Sequence, residues 1–199
     1  MTPTDTELLQ RMQCGDGGAF SALYQRHQQR VFRFAMVYCG AESTAADVTQ
    51  EVFMQLIDNH SYDPAQGDLR GYLLGMARNL LRRHWRDAQR YAALADGEGE
   101  GGALDEVLIE PLEPSHWVGR AQQHGALREA ILALPAYYRE VTILCELEEL
   151  DYQEAARILE VPIGTVRSRL NRARKALAAA LAAPGVVPQR SEDYELRAV

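Results

Sequence analysis

Apolar residues recur with helical spacing along most of this chain. The periodic segments are residues 5–13, 18–38, 44–58, 69–90, 120–133, 136–148, 152–160 and 163–182. Apolar positions at i, i+3, i+4 and i+7 line one face of an α-helix, whereas strands alternate with a period of two. Because no stretch shows sustained alternation of that kind, the sequence predicts an all-α fold.

Two of the predicted helices carry clear start signals. Asp68 precedes the fourth segment, and an aspartate in that position can accept hydrogen bonds from the free amides of the first turn. Asp151, followed three residues later by Glu154, has the form of a capping box.

The helical pattern breaks between Ala95 and Gly119. This stretch holds five glycines and two prolines, together with a strong acidic excess. Such a composition cannot bury a core and is typical of a flexible tether. We therefore predict two small helical domains, residues 1–92 and 120–183, joined by a flexible acidic linker at 93–119. Residues 184–199 are predicted to form a disordered tail.

The distribution of charge qualifies the net charge of -7, which by itself argues against a nucleic-acid partner. Residues 78–90 contain five arginines and one acid, and residues 164–175 contain five cations and no acid. Residues 96–113 contain acids but no Lys or Arg. The basic residues are thus concentrated in two places where they could face DNA.

Several classes of function find no support in the sequence. Cys14, Cys39 and Cys145 lie far apart with no CxxC pair, so we expect buried reduced thiols, no metal and no cofactor. The chain lacks HExxH, GxSxG and P-loop motifs, and we expect no enzymatic activity. No apolar run approaches the length of a membrane span, and residues 1–13 do not resemble a signal peptide, so we expect a cytoplasmic protein without membrane insertion.

Residues 151–177 have the pattern of a helix-turn-helix. Small and apolar residues line one face of each helix: Tyr152, Ala155, Ala156 and Leu159 on the first, and Val166, Leu170, Ala173 and Leu177 on the second. The polar side of the second helix then carries Thr165, Arg167, Ser168, Arg169, Asn171, Arg172, Arg174 and Lys175. Arg can donate two hydrogen bonds to guanine, and Asn can pair with adenine. A solvated basic helix is an equal alternative on charge alone, but the two-helix pattern favours DNA.

The third periodic segment separates an apolar from a polar face. Val48, Val52, Phe53, Leu56 and Ile57 are predicted to be buried. Asp47, Gln50, Glu51 and Gln55 are left outside, and on the pattern alone this face is an ordinary solvated surface.

Two sets of motifs resemble the extracytoplasmic-function (ECF) group of RNA polymerase sigma factors. Leu134 with Pro135, the run Tyr152–Ala156 and the run Gly164–Leu177 are similar to sigma region 4. The run Ala46–Phe53, followed by Tyr62–Pro64, Gly67, Arg70–Leu74 and Met76–Leu81, is similar to sigma region 2. One departure is Glu160, where the family commonly has Gly. A non-glycine residue in a left-handed cap costs on the order of 1 kcal/mol.

The resemblance implies a role for each polar face. Region 4 would read the duplex -35 promoter element through the polar residues of the second helix. Region 2 would bind core RNA polymerase through Asp47, Gln50, Glu51 and Gln55. It would melt and hold the single-stranded -10 element with Tyr62, Arg78, Asn79, Arg82, Arg83, Trp85 and Arg86, since stacking and cationic contacts hold unpaired strands. Trp85 is an exception on residue statistics, which favour core packing for a tryptophan.

The family also implies control by a partner. Its members are commonly held inactive by an anti-sigma factor, and we expect one here. The alternative is a free-standing helix-turn-helix repressor or activator whose N-terminal domain dimerises or senses a ligand.

Overall fold

The regular structure of the protein is helical wherever the computed structural model describes it, at residues 2–58, 62–95 and 122–182. The helices are α1 (Asp5–Gln13), α2 (Gly17–Cys39), α3 (Glu42–Asp58), α4 (Leu69–Ala95), α5 (Gln122–Leu132), α6 (Ala136–Thr142), α7 (Tyr152–Leu159) and α8 (Ile163–Ala182). A 3-10 turn covers Pro64–Gln66 and a π-helical turn covers Ile143–Leu147. The all-α prediction is confirmed for these ranges.

The boundaries differ from the predicted ones at two places. Helix α4 continues to Ala95, so residues 93–95 belong to the helix and not to the linker. The predicted helix 136–148 ends its α-helical part at Thr142 and finishes in the π-helical turn, where the Glu148 amide donates to the Ile143 carbonyl at 2.9 Å. The remainder of the predicted linker and the predicted tail lie outside the described residues.

Side-chain caps explain why several helices begin where they do. The Asp68 carboxylate accepts from the Gly71 amide at 2.7 Å, as predicted. The Asp151 carboxylate accepts from the Glu154 amide at 2.8 Å, which is half of the predicted capping box. The Glu154 carboxyl is instead engaged with Asp68.

Helix α2 is the centre of the N-terminal half and packs against α1, α3 and α4. Its side chains Leu23, Val31 and Phe34 are almost completely buried. In the C-terminal half, α8 packs against α5, α6 and α7. The two halves also touch, because α4 contacts α7 and α2 contacts α5, and their buried apolar residues form one continuous cluster.

Two predictions of burial are wrong. Ile57 is 45% exposed, because it lies on the outer side of α3 near its end. Cys14 is exposed as well, and Cys39 and Cys145 are half-buried; all three are free thiols. Within the described ranges no helix combines the length and the apolar character needed to cross a membrane.

Candidate nucleic-acid interface

Helices α7 and α8 form a helix-turn-helix. Ala155 and Leu159 of α7 are buried against Val166 and Leu170 of α8. The chain turns at Glu160, which takes a left-handed conformation with φ 57° and ψ 40°. The turn therefore has the conformation expected of the family's glycine, although the residue is a glutamate.

The polar side of α8 carries all the residues predicted to face outward. Two of them, Thr165 and Arg169, are half-buried. The other six are exposed: Arg167, Ser168, Asn171, Arg172, Arg174 and Lys175. An exposed row of cations on a buried apolar helix matches the footprint of a major-groove reader.

Three of these cations are held in place by neighbours within the C-terminal half. The Arg174 Nε donates to Glu146 Oε1 at 3.0 Å. The Arg169 guanidinium lies 5.4 Å from the centre of the Tyr137 ring, and that of Arg167 lies 5.9 Å from the Tyr152 ring. Such contacts orient long side chains before a ligand binds.

A second exposed cationic surface lies on α4. Asn79, Arg82, Arg83 and Arg86 are exposed and Trp85 is half-buried. Arg78, predicted in the same set, is only 4% exposed. Its Nε lies 3.1 Å from Glu140 Oε2 and its Nη1 donates to the Ile158 carbonyl at 3.1 Å, both in the C-terminal half.

Tyr62 lies in the loop before α4 and packs against the first turn of that helix. The Tyr62 hydroxyl donates to the Gly67 carbonyl at 3.0 Å, and its ring packs 5.3 Å from that of Tyr72. Burial raises the pKa of Tyr62 above its ordinary value. Residues 59–61 of the predicted loop, His60 included, lie outside the described residues.

The polar face of α3 has an apolar component that the sequence did not reveal. Asp47 and Gln50 are exposed, while Glu51 and Gln55 are half-buried and joined by a 2.7 Å hydrogen bond from Gln55 Nε2 to Glu51 Oε1. Met54 is 51% exposed, and with Ile57 it borders a groove between α2 and α3 that also contains Phe32. A mixed apolar and polar patch of this kind is typical of a protein-binding surface.

Comparisons with known proteins agree with the two halves of the chain. The model of Sigma-70 region 2 matches residues 23–91, and that of Sigma-70, region 4 matches residues 124–177. The ECF RNA polymerase sigma-E factor of Escherichia coli (strain K12) is 32% identical over 87% of this chain and 92% of its own length. The ECF RNA polymerase sigma factor SigE of Mycolicibacterium smegmatis is 32% identical over 80% of this chain, which spans 60% of that longer relative.

Solved structures share the fold. The sigma factor RpoE of Bartonella quintana, determined in complex with the anti-sigma factor NepR, superposes with a TM-score of 0.64 at 24% identity, covering 83% of this chain and 98% of that one. CnrH, determined in complex with the cytosolic domain of CnrY, superposes with a TM-score of 0.61 at 22% identity. The match covers 89% of this chain and 96% of that one.

Proposed function

The chain belongs to the extracytoplasmic-function group of the sigma-70 family of RNA polymerase sigma factors, and we propose that its two halves divide promoter recognition between them. The C-terminal half reads the -35 element, and the N-terminal half binds core polymerase and holds the -10 element. Each contact is weak by itself, but the two add through effective concentration because one chain carries both.

The exposed cationic side of α8 is the observation that carries this proposal. The apolar side of α8 is buried against α7, so its polar side is left free to enter a major groove. Arg172 and Lys175 project from this side and are exposed. We propose that α8 supplies both base and phosphate contacts to the -35 duplex.

The -10 strand is assigned to α4 and the loop before it. Arg82, Arg83 and Arg86 offer three cations at the surface for a strand backbone, and Trp85 and Tyr62 offer partly accessible rings. The helix α3 is assigned to core polymerase through Asp47, Gln50, Glu51 and Gln55, to which we add Met54 and Ile57.

Three further features belong to the proposal. We propose that the protein works in the cytoplasm, where polymerase is found, and that it has no catalytic activity of its own. We also propose that an anti-sigma factor regulates it, supported by the relative of similar fold that was determined with NepR.

Run-off transcription with purified core polymerase and a genomic promoter library tests the function. We expect promoter-dependent transcripts that vanish when the chain is omitted. The variant Arg172→Ala with Lys175→Ala should keep core binding and lose promoter binding by about 5- to 150-fold per base contact removed. Arg11→Ala removes an exposed cation on α1, outside the proposed surfaces, and should transcribe normally.

A free-standing repressor or activator predicts a different result. It would bind a palindromic operator tightly without polymerase. A gel-shift assay with and without core enzyme separates the two functions. Specific binding that does not depend on core polymerase, together with no core association in gel filtration, would contradict the sigma-factor assignment of the surfaces.

A further inference from the structure

Two tyrosines each hold an arginine of α8 from a neighbouring helix. The Arg169 guanidinium lies over the ring of Tyr137, the second residue of α6, at 5.4 Å from the ring centre. The Arg167 guanidinium lies over the ring of Tyr152, the first residue of α7, at 5.9 Å from the ring centre. Helix α8 packs against both α6 and α7, so each pair forms where α8 meets one of these two neighbours.

The two arginines lie at opposite edges of the polar side of α8. Each residue of an α-helix is turned by about 100° from the one before it, so Arg167 and Arg169 are about 200° apart around the helix axis. The buried residues Val166 and Leu170 lie in the narrower arc between them. Three exposed residues lie in the wider arc, namely Ser168, Asn171 and Arg172.

This arrangement matches the walls and the floor of a major groove. A helix with its side chains is about 10–12 Å across, and the major groove of B-DNA is about 12 Å wide. The edges of a helix in the groove therefore face the phosphates of the two strands, while the middle of its polar side faces the base edges. In such a groove Arg167 and Arg169 would lie beside phosphates, and the three residues of the wider arc would lie beside bases.

A tyrosine ring restrains an arginine without neutralising it. The guanidinium is planar and can lie on an aromatic face while its N–H groups, which project in its own plane, stay free to donate to a phosphate. Arg174 shows the contrast, because its Nε donates to Glu146 Oε1 at 3.0 Å and the carboxylate offsets its charge. Restraining one long side chain before it binds should raise affinity about 2- to 13-fold.

We infer that Tyr137 and Tyr152 are positioning residues for DNA binding, which hold Arg169 and Arg167 towards phosphates on the two walls of the major groove. The inference rests on the proposed function, which places α8 in that groove. It goes further by dividing the polar side of α8 between the DNA backbone and the bases. Neither tyrosine touches the DNA, so each acts only through its arginine.

A double-mutant cycle on the full-length chain separates this role from a direct contact and from a purely structural role. The probe is a fluorescent pool of duplexes of about 25 base pairs with a randomised centre, titrated from about 50 to 200 mM salt, since phosphate contacts do not depend on sequence. Tyr137→Leu should weaken binding about 2- to 13-fold in the wild-type background and have little effect once Arg169→Ala is present. Tyr137→Phe keeps the ring and should bind within about twofold of the wild type.

Two further readouts distinguish phosphate binding from base reading. Arg169→Ala and Arg167→Ala should each make the slope of log K against log salt shallower by about 0.9, and the sequences recovered from the pool should keep the wild-type preference. Arg172→Ala should instead change that preference. Two controls should bind like the wild type: Arg11→Ala removes an exposed cation of α1, and Tyr24→Leu removes a half-buried tyrosine of α2.

The inference is overturned if Tyr137→Leu weakens binding equally with and without Arg169→Ala, because the ring would then act on the DNA directly or on the fold as a whole. A changed sequence preference with an unchanged salt slope in Arg169→Ala would overturn it too, as would a wild-type chain that shows no salt-dependent binding.

The cycle of Tyr152 with Arg167 repeats the test on the other edge of α8. Tyr152 is half-buried, so if Tyr152→Leu does not fold, as judged by circular dichroism, the exposed Tyr137 still decides the matter. None of these measurements uses polymerase or a promoter. A failure of the proposed function would therefore show separately, as missing transcripts in the run-off assay.

Discussion

Replacing Glu160 with glycine should stabilise the protein. The residue ends α7 in the left-handed region, at φ 57° and ψ 40°, and its amide donates to the Arg157 carbonyl at 3.2 Å. Its Cβ is strained in this conformation because it crowds the backbone, whereas glycine has no Cβ to crowd.

The size of the effect follows from two opposing terms. A left-handed residue other than glycine costs roughly 1–2 kcal/mol. Glycine also lowers the free energy of unfolding by about 0.4–1 kcal/mol, because it raises the conformational entropy of the unfolded chain. We therefore expect a net gain of about 0.5–1 kcal/mol in the free energy of unfolding, or a rise in Tm of about 1–4 °C for a chain of this length.

Urea denaturation of the full-length chain, followed by circular dichroism, measures this gain. Glu160→Ala is the control, since it removes the carboxylate but keeps the Cβ. The stability of Glu160→Gly should exceed that of both the wild type and the alanine variant. Equal stability of the glycine and alanine variants would refute the argument from backbone strain. Glu149→Gly repeats the test at the other described non-glycine residue with positive φ, at 53°.

Three further outcomes are expected. Leu170 is 1% exposed, so Leu170→Ala should lower the free energy of unfolding by about 2–5 kcal/mol and abolish -35 binding. A loss below about 1 kcal/mol in urea denaturation would contradict this. Met54 is 51% exposed, so Met54→Glu should change the free energy of unfolding by no more than about 0.5 kcal/mol while it weakens core-polymerase binding in gel filtration. Unchanged binding would argue against Met54 as part of the polymerase interface. Finally, burial and the neighbouring Asp68 raise the pKa of Glu154 to about 7 against the opposing charges of Arg70 and Arg157. Since the ordinary pKa is 4.5, this group should stabilise the folded protein most below pH 4.5, and its contribution should be lost as pH rises through about 7. Glu154→Gln should remove this part of the pH dependence of the free energy of unfolding, measured by urea denaturation, and an unchanged pH dependence in that variant would refute the assignment.

The local features of the chain were predictable because short-range patterns determine them. Helical periodicity located the eight α-helices of the described residues, Asp68 and Asp151 act as the caps their positions predicted, and Glu160 adopts the expected left-handed turn. The apolar seam between α7 and α8 also follows from residues a few positions apart. Such features depend on neighbours along the chain, and neighbours along the chain are what a sequence displays.

The predictions that failed, or that the sequence could not make, concern contacts between distant segments. Ile57 has the spacing of a core residue, but no element of the described chain covers it sufficiently to bury it. Arg78 follows the pattern of an exposed cation, yet it is buried because Glu140, far away in sequence, lies across it. One clue was present in Arg30 and Arg33, which lie three residues apart on one face of α2 and therefore suit a shared anionic partner.

The sequence by itself thus determined the helices, the helix-turn-helix and the two charged surfaces, because each is defined by residues within a few turns of one another. Only the tertiary structure decided which of those charges are available. Glu148 is 115 positions from Arg33 along the chain, and nothing in the local pattern of either predicts that they meet. Pairing over such distances depends on how whole helices pack, which is why these ion pairs became visible only in the folded molecule.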